Sequence, residues 1–216
     1  MSGDGRVAQL WRHPVKSLQG ERLTAVTVDS RGVVGDRSWG VRDAASGTLL
    51  SAKRHPRLLL ATATVGGEGV VVATPGHGPV AGRDADAALS DLVGRRVRVE
   101  VAPEVGPAFV DEAPLHLLTC SALASWDVRR FRPNVLLDTP LDLDELVGGR
   151  LALGAVTVEI VKRTRRCGMT TAEQPGLAKD VGVLRTLARE RDLCQGVYAR
   201  VVTSGRIAAD DAVRVT

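Results

Sequence analysis

Aromatic residues are scarce in this 216-residue chain, 3% in all: two Phe, three Trp and one Tyr. Surfaces that hold nucleic acid set stacking rings among their basic residues, so the modest net charge of +4 does not point to that partner. Lysine occurs only at 16, 53, 162 and 179, which leaves the basic excess almost entirely to arginine. The planar guanidinium fork suits a small phosphate or carboxylate better than a polymer. Cysteine appears three times, at 120, 167 and 194, and this odd, scattered set excludes a disulfide framework and a zinc knuckle. Long apolar runs are missing as well. The longest, such as Leu58–Ala61 and Val70–Ala73, have the length of a strand and fall far short of a membrane span. No apolar stretch follows Met1–Arg6, so no secretory signal is visible. The expectation is a cytoplasmic protein without membrane segments.

What is present is enough for a core. Hydrophobic residues make up 44% of the chain, mostly Val, Leu and Ala, which suits one compact unit or two small intimate ones. The first half reads as short strands cut by turns. Val7–Trp11 ends at His13-Pro14, and Leu23–Val28 alternates before Asp29-Ser30-Arg31-Gly32. Ser38–Val41 and Thr48–Ser51 flank a hairpin loop at Asp43–Gly47, and Leu58–Val65 and Val70–Ala73 flank another at Gly66–Gly69. Asp84–Val93 places Ala88, Leu89, Leu92 and Val93 on one helical face with Gly94 as its stop, and Arg95–Val101 alternates again. The proline-bearing stretch Pro103–Pro114 is the candidate boundary, dividing the chain into 1–104 and 105–216. Beyond it come a strand at Leu115–Thr119, a short helix capped by Ser121, and strands at Asn134–Leu137, Val156–Val161 and Val197–Val202. Val183–Arg191 is helical and Ile207–Val215 has strand character. The fold class is mainly β with a few short helices, barrel-like.

One segment has the chemistry of an activated thiol. Lys162-Arg163-Thr164-Arg165-Arg166-Cys167 runs off the alternating strand Val156–Val161 into Gly168-Met169-Thr170-Thr171. A thiol acts as ligand or nucleophile in its thiolate form, which neighbouring cations favour; the bland alternative is a solvated basic strand end. Cys120 and Cys194 lack such company and read as small core residues. Pro14-Val15-Lys16-Ser17 and Phe131-Arg132-Pro133-Asn134 offer donors for phosphate oxygens, or are simply turns, and Asn134 is the sole asparagine. Glycine-rich nucleotide loops, a serine-hydrolase elbow and a His-Glu-x-x-His zinc site are all absent. His13, His55, His77 and His116 share no metal-ligand spacing and read as surface or satisfied histidines.

Seven stretches in register make the chain resemble the MOSC superfamily, in particular members with an N-terminal MOSC β-barrel domain, the group that includes the mitochondrial amidoxime-reducing components. They are Val7–Trp11, Pro14–Ser17, Gly35-Asp36-Arg37-Ser38-Trp39, His55-Pro56-Arg57-Leu58, Phe131–Asn134, Cys167-x-x-Thr170-Thr171 and Gly196-Val197-Tyr198. The resemblance implies an N-terminal β-barrel subdomain joined to a MOSC domain, and a molybdenum cofactor. It makes Cys167 the catalytic residue and metal ligand. It makes Lys16, Ser17, Arg37, Arg132, Asn134, Arg166, Thr170 and Tyr198 cofactor-binding. The implied reaction is reduction of N-hydroxylated or other N- or S-oxygenated small molecules, with electrons from a separate donor protein, since no clustered cysteines follow the Cys167 segment. A sulfur carrier working through a Cys167 persulfide, and a non-catalytic cofactor-binding protein, are the alternatives. Two positions depart from the family pattern: Arg165 stands where Ser is usual, and Ala172-Glu173-Gln174-Pro175 replaces an Asp-Pro.

Overall fold

The computed structural model describes residues 4–67, 69–103 and 108–216. Sixteen strands and three short α-helices build it. The strands are β1 (Gly5–Arg12), β2 (Glu21–Leu23), β3 (Ala25–Asp29), β4 (Gly32–Val33), β5 (Trp39–Asp43), β6 (Thr62–Gly66), β7 (Gly69–Thr74) and β8 (His77–Ala81). After helix α1 (Gly82–Val93) come β9 (Val97–Val101), β10 (Leu115–Thr119), helix α2 (Cys120–Leu123), β11 (Val135–Asp138), β12 (Arg150–Leu153) and β13 (Val156–Arg165). Helix α3 (Gly182–Glu190), β14 (Cys194–Thr203), β15 (Gly205–Ala208) and β16 (Ala212–Val215) complete the order.

Seven strands close into a barrel in the order β11-β10-β14-β13-β12-β16-β1, with β1 pairing back onto β11. Alternation along the strands explains the closure. In β13 Val156, Val158 and Ile160 are fully buried while Thr157 and Glu159 are half-exposed. The interior is filled by aliphatic side chains from every stave, among them Val7, Leu117, Leu137, Leu151, Val197 and Val213, each with no exposed surface. Closure leaves no unpaired edge, which in an open sheet would invite aggregation. All these pairings are antiparallel except β10 with β11.

The region between Trp39 and Val101 is built differently. It holds a two-stranded ladder, β5 with β9, and a three-stranded one, β6-β7-β8. Helix α1 lays Ala85, Ala88 and Leu89 inward and stops at Gly94, whose φ of 72° suits glycine. A second apolar cluster joins these pieces through Val15, Leu18, Val41, Leu58, Leu59 and Val72.

Several expected elements differ. The apolar run from Leu58 is a 3-10 turn, Pro56–Leu60, because Pro56 fixes its first φ, and the strand begins only at Thr62. Thr48–Ser51 makes a single bridge, Arg42 with Leu49, since β5 takes β9 as its partner. The Leu23–Val28 run breaks at Thr24, and Ile207–Val215 splits into β15 and β16 around a turn at Asp210. Thr119, not Ser121, caps α2: its side chain accepts from the Ala122 N–H. Strands β8 and β12 were not anticipated. Cys194 is half-exposed rather than core, whereas Cys120 packs half-buried against the cluster of Leu118, Phe131 and Leu136, and burial pushes its thiol up. The expected boundary at 104/105 lies outside the described residues. Among the described residues no helix is long and apolar enough to cross a membrane.

Candidate functional site

A cleft of about 400 Å³ opens between the barrel and the N-terminal region, lined by Lys16, Ser17, Arg37, Ser51, Lys53, Asp111, Glu112, Arg132, Arg165, Arg166, Cys167, Met169 and Tyr198. A recess of about 80 Å³ shares much of this lining and reaches His116, Arg130, Phe131 and Thr170. The cleft has six cationic side chains against two carboxylates. Eight of the nine site residues expected from sequence line the cleft or its recess; Asn134 does not.

The N-terminal rim grows out of the end of β1. Trp39 bridges to Val15 in parallel and its carbonyl accepts from the Lys16 N–H at 2.8 Å, while the Arg37 N–H donates to the His13 carbonyl at 2.8 Å. These bonds set Lys16 and Arg37 side by side. Asp36 is buried beneath them, accepts from the His13 N–H at 2.6 Å and pairs with the Arg37 guanidinium. Burial disfavours the Arg37 charge, but Asp36 more than compensates and holds it above the ordinary arginine value. The Lys16 ammonium donates to the Phe109 carbonyl at 3.1 Å and pairs with Asp111. Asp111, despite burial that opposes its ionisation, is held below the usual carboxylate range by Lys16, Arg37 and Arg132.

The barrel rim carries Arg132, Arg166, Cys167 and Tyr198. Arg132 follows the turn Val128–Arg130, is 7% exposed and donates to the Leu18 carbonyl. Burial and the neighbouring Arg37 pull its guanidinium down to about 9. Arg166 lies over the Phe131 ring at 5.5 Å and donates to the Phe131 carbonyl at 2.7 Å, and burial lowers its pKa too. Cys167 is half-buried and extended at φ −131°, where β13 ends. A single 3-10 turn follows, Gly168–Thr171, in which the Thr170 backbone and hydroxyl both donate to the Cys167 carbonyl. Arg130 fixes this loop from behind. Its buried guanidinium donates to the carbonyls of Thr170, Ala172 and Ala178, the last at 2.7 Å.

Tyr198 on β14 sits opposite His116 on β10, rings 5.8 Å apart. The approach of β14 to β10 needs Gly196: its φ is 77°, and a Cβ there would lie 2.5 Å from the Leu117 carbonyl oxygen. His13 and His116 are pushed well below the ordinary histidine value, first by burial and then by nearby arginines, so both are neutral.

Backbone conformation marks the same place. Among the described residues seven non-glycine positions have positive φ, and three of them line the cleft: Ser17 at 73°, Arg37 at 48° and Arg132 at 54°. Each such position costs on the order of 1–3 kcal/mol and persists only where surroundings over-determine it. Here they do: the Ser17 hydroxyl accepts from the Ala52 N–H at 2.9 Å, Arg37 is held by Asp36, and Arg132 by the Leu18 carbonyl.

Asn134 is fully buried away from the cleft. Its amide oxygen accepts from the His116 N–H at 3.1 Å and its amide nitrogen faces the Trp11 carbonyl at 3.5 Å, tying β1 to β10. Sequence reasoning missed Asp36, Arg130 and Asp111. Asp36 had a signal, a lone acid beside an arginine, whereas Asp111 lay in a stretch read only as a connector. Near the cleft, two buried ring or guanidinium nitrogens have no partner among the described residues, Arg166 Nε, a donor, and His13 Nδ1, an acceptor because Nε2 donates to the Pro133 carbonyl.

Comparison with known proteins gives the family. Residues 4–108 match the family described as "MOSC N-terminal beta barrel domain", and residues 109–214 match "MOSC domain". The human mitochondrial amidoxime-reducing component 1 is 25% identical over 83% of this chain and 68% of its own length. The rat mitochondrial amidoxime reducing component 2 is 23% identical over 78% of this chain and 67% of its own. Among solved structures, the YuaD protein of Bacillus subtilis superposes with a TM-score of 0.48 at 11% identity, covering 97% of this chain and 93% of that one. With the two family matches together spanning nearly every residue, the chain belongs to the MOSC family and carries the MOSC N-terminal β-barrel domain.

Proposed function

We propose that this protein binds a molybdenum cofactor in the cationic cleft, with Cys167 as metal ligand, and reduces N-hydroxylated or other N- or S-oxygenated small molecules. The observation that carries the reading is the convergence of one half-buried thiol with Lys16, Arg37, Arg132 and Arg166 in a single cleft. The donor set fits such a group. Among the described residues no three His, Cys, Asp or Glu side chains could hold a metal ion together, so a metal here must bring most of its ligands with it, and a thiolate suits a metal already held by sulfur. The unpartnered Arg166 Nε offers a further buried donor to the polar body of a cofactor.

Each residue then has a task. Lys16, Arg37 and Arg132 supply charge-assisted donors for a phosphate, and Ser17 holds the Ala52 loop against them. Thr170 and Arg130 fix the Cys167 carbonyl and the loop behind it, which orients the thiolate. Tyr198 lines the cleft as a neutral phenol, and burial raises its pKa further above the ordinary tyrosine value. When bound, the cofactor supplies the two-electron redox chemistry that protein side chains lack. For an amidoxime the balance is RC(=NOH)NH2 + 2e− + 2H+ → RC(=NH)NH2 + H2O, with both electrons from a separate donor protein. Reduced viologen dye replaces that donor in the test. Protein expressed in a cofactor-producing host should carry molybdenum and reduce an amidoxime with the dye. A metal-free preparation, or a metal-replete one that reduces no N-oxygenated or S-oxygenated compound, would sink the reading.

A further inference from the structure

The cations of the cleft fall into two tiers. Lys16, Arg37, Arg132 and Arg166 each donate to a carboxylate or a carbonyl of the protein. Lys53 and Arg165, also in the lining, are exposed and have no protein acceptor among the described residues. Their positions are nevertheless set. Arg165 is the last residue of β13, in register with Cys194 and two residues before Cys167. Lys53 sits on the Ser51–Arg54 turn, closed by the bond from the Arg54 N–H to the Ser51 carbonyl and tethered to the cleft by Ser17 and Ala52. A charge run on a solvated face gives no reason for two unpaired cations to meet at one opening beside a thiol.

We propose that Arg165 and Lys53 form a second anion subsite, at the mouth of the cleft, that selects substrates bearing a carboxylate. This rests on the reductase reading and names its substrate class. The inner tier is matched to an anion held deep in the cleft, while the outer pair faces whatever approaches Cys167 from solvent. A guanidinium grips a carboxylate in two places, and the Lys53 ammonium in the same lining is available for a third contact. Exposure keeps each contact modest and sensitive to salt, so the pair acts through selectivity more than through tight binding.

The experiment uses a matched pair, benzamidoxime and 4-carboxybenzamidoxime, with the purified protein in low salt. Calorimetry should show the carboxylate compound binding roughly tenfold more tightly, about the value of one good charge-assisted contact. In the dye assay the ratio of kcat/KM for the two compounds should favour the carboxylate similarly. Arg165→Ala with Lys53→Ala should bring both ratios close to one, Arg165→Lys should keep part of the preference, and 0.5 M salt should erase it. Pterin and molybdenum content should match the parent. Equal affinity for the two compounds in the parent overturns the subsite even if both are reduced, which leaves the reductase reading intact. A metal-free parent defeats the reductase reading while calorimetry still decides the subsite. Loss of pterin in the double variant, with thermal stability unchanged, also overturns the proposal, because the pair would then hold cofactor.

Discussion

In the barrel each stave has a hydrogen-bonded neighbour on both sides, whereas the strands between Trp39 and Val101 pair in separate ladders of two and three. The barrel is therefore held by a continuous ring of backbone bonds around one aliphatic core. The other region depends on side chains, with α1 and the turn at Pro56–Leu60 plugging the space between short ladders. The cleft draws on both. The barrel presents Arg132, Arg166, Cys167 and Tyr198 from a closed frame, and the N-terminal region brings Lys16, Ser17, Arg37 and Lys53 on turns with strained φ angles or short bridges. One side is placed by topology and the other by local bonds, so substitutions on the two sides should fail differently.

The largest effect is expected on the barrel side. Cys167→Ala should remove most of the bound molybdenum and all dye-driven activity, while Cys120→Ala and Cys194→Ala keep theirs; metal analysis of the three proteins decides. Equal loss in all three would mean that a general folding defect, and not ligation, controls the metal. Next comes the loop clamp. Arg130→Ala strips three carbonyls of their donor and should cost about 2–4 kcal/mol, read by denaturant unfolding of the cofactor-free protein. Arg130→Lys should not rescue it, since a single ammonium cannot span carbonyls from Thr170 to Ala178 as the guanidinium does.

A smaller contrast separates two anchors on the N-terminal rim. Both Lys16→Ala and Arg37→Ala should lower pterin content. Arg37→Ala should also destabilise the cofactor-free protein by about 1–3 kcal/mol, because Asp36 is left as a buried, unpaired carboxylate. Lys16 pairs with the more exposed Asp111, and its loss should move stability by about 0.5 kcal/mol or less. Adding Asp36→Asn to Arg37→Ala should restore stability without restoring pterin. Stability losses of equal size at the two anchors would erase the distinction.

The finest test is of pH. Arg132 has its guanidinium pulled down to about 9 by burial and by Arg37. For a base lowered in the folded state, the unfolded chain holds the proton longer, so the anion-free protein gains stability as pH rises above about 9. A bound anion favours the charged form and its benefit runs the other way. Inorganic phosphate should raise the Tm of the cofactor-free protein at pH 7.5 and raise it less at pH 10, with Arg132→Gln flattening the difference. A phosphate effect that grows with pH would show that Arg132 does not face the anion.

The strands with clean alternation were legible from residues alone, β13 above all, because burial on one face imposes a period of two. Leu58–Ala61 was not, since four apolar residues fit a buried turn as well as a strand and only Pro56 breaks the tie. Strand β8 is too polar and too exposed to announce itself. At the site, short motifs that carry turn residues pointed to Lys16, Arg37 and Cys167, because the tight backbone geometry is itself written in Pro, Gly and Asp. Asn134 shows the limit of that signal. A motif can be shared for its architecture, and this side chain stitches two strands instead of lining the cleft. Arg130, which clamps the site, acts through contacts 40 to 48 residues distant, which no local pattern encodes, and Asp36, legible beside Arg37, also holds the His13 N–H 23 residues away.

The first stave of the barrel is also its last to be satisfied. Strand β1 leaves the ribosome before any other, yet its partners are Val135–Asp138 and Ala212–Val215, more than a hundred residues later. Until β11 emerges, Val7 and Leu10 have no barrel strand beside them, and β16 adds the other neighbour only at Gly5 and Arg6. The rim bearing Lys16 and Arg37 hangs from β1, the rim bearing Cys167 from β13, and the two are joined through β11, β10 and β14, strands far from β1 in sequence.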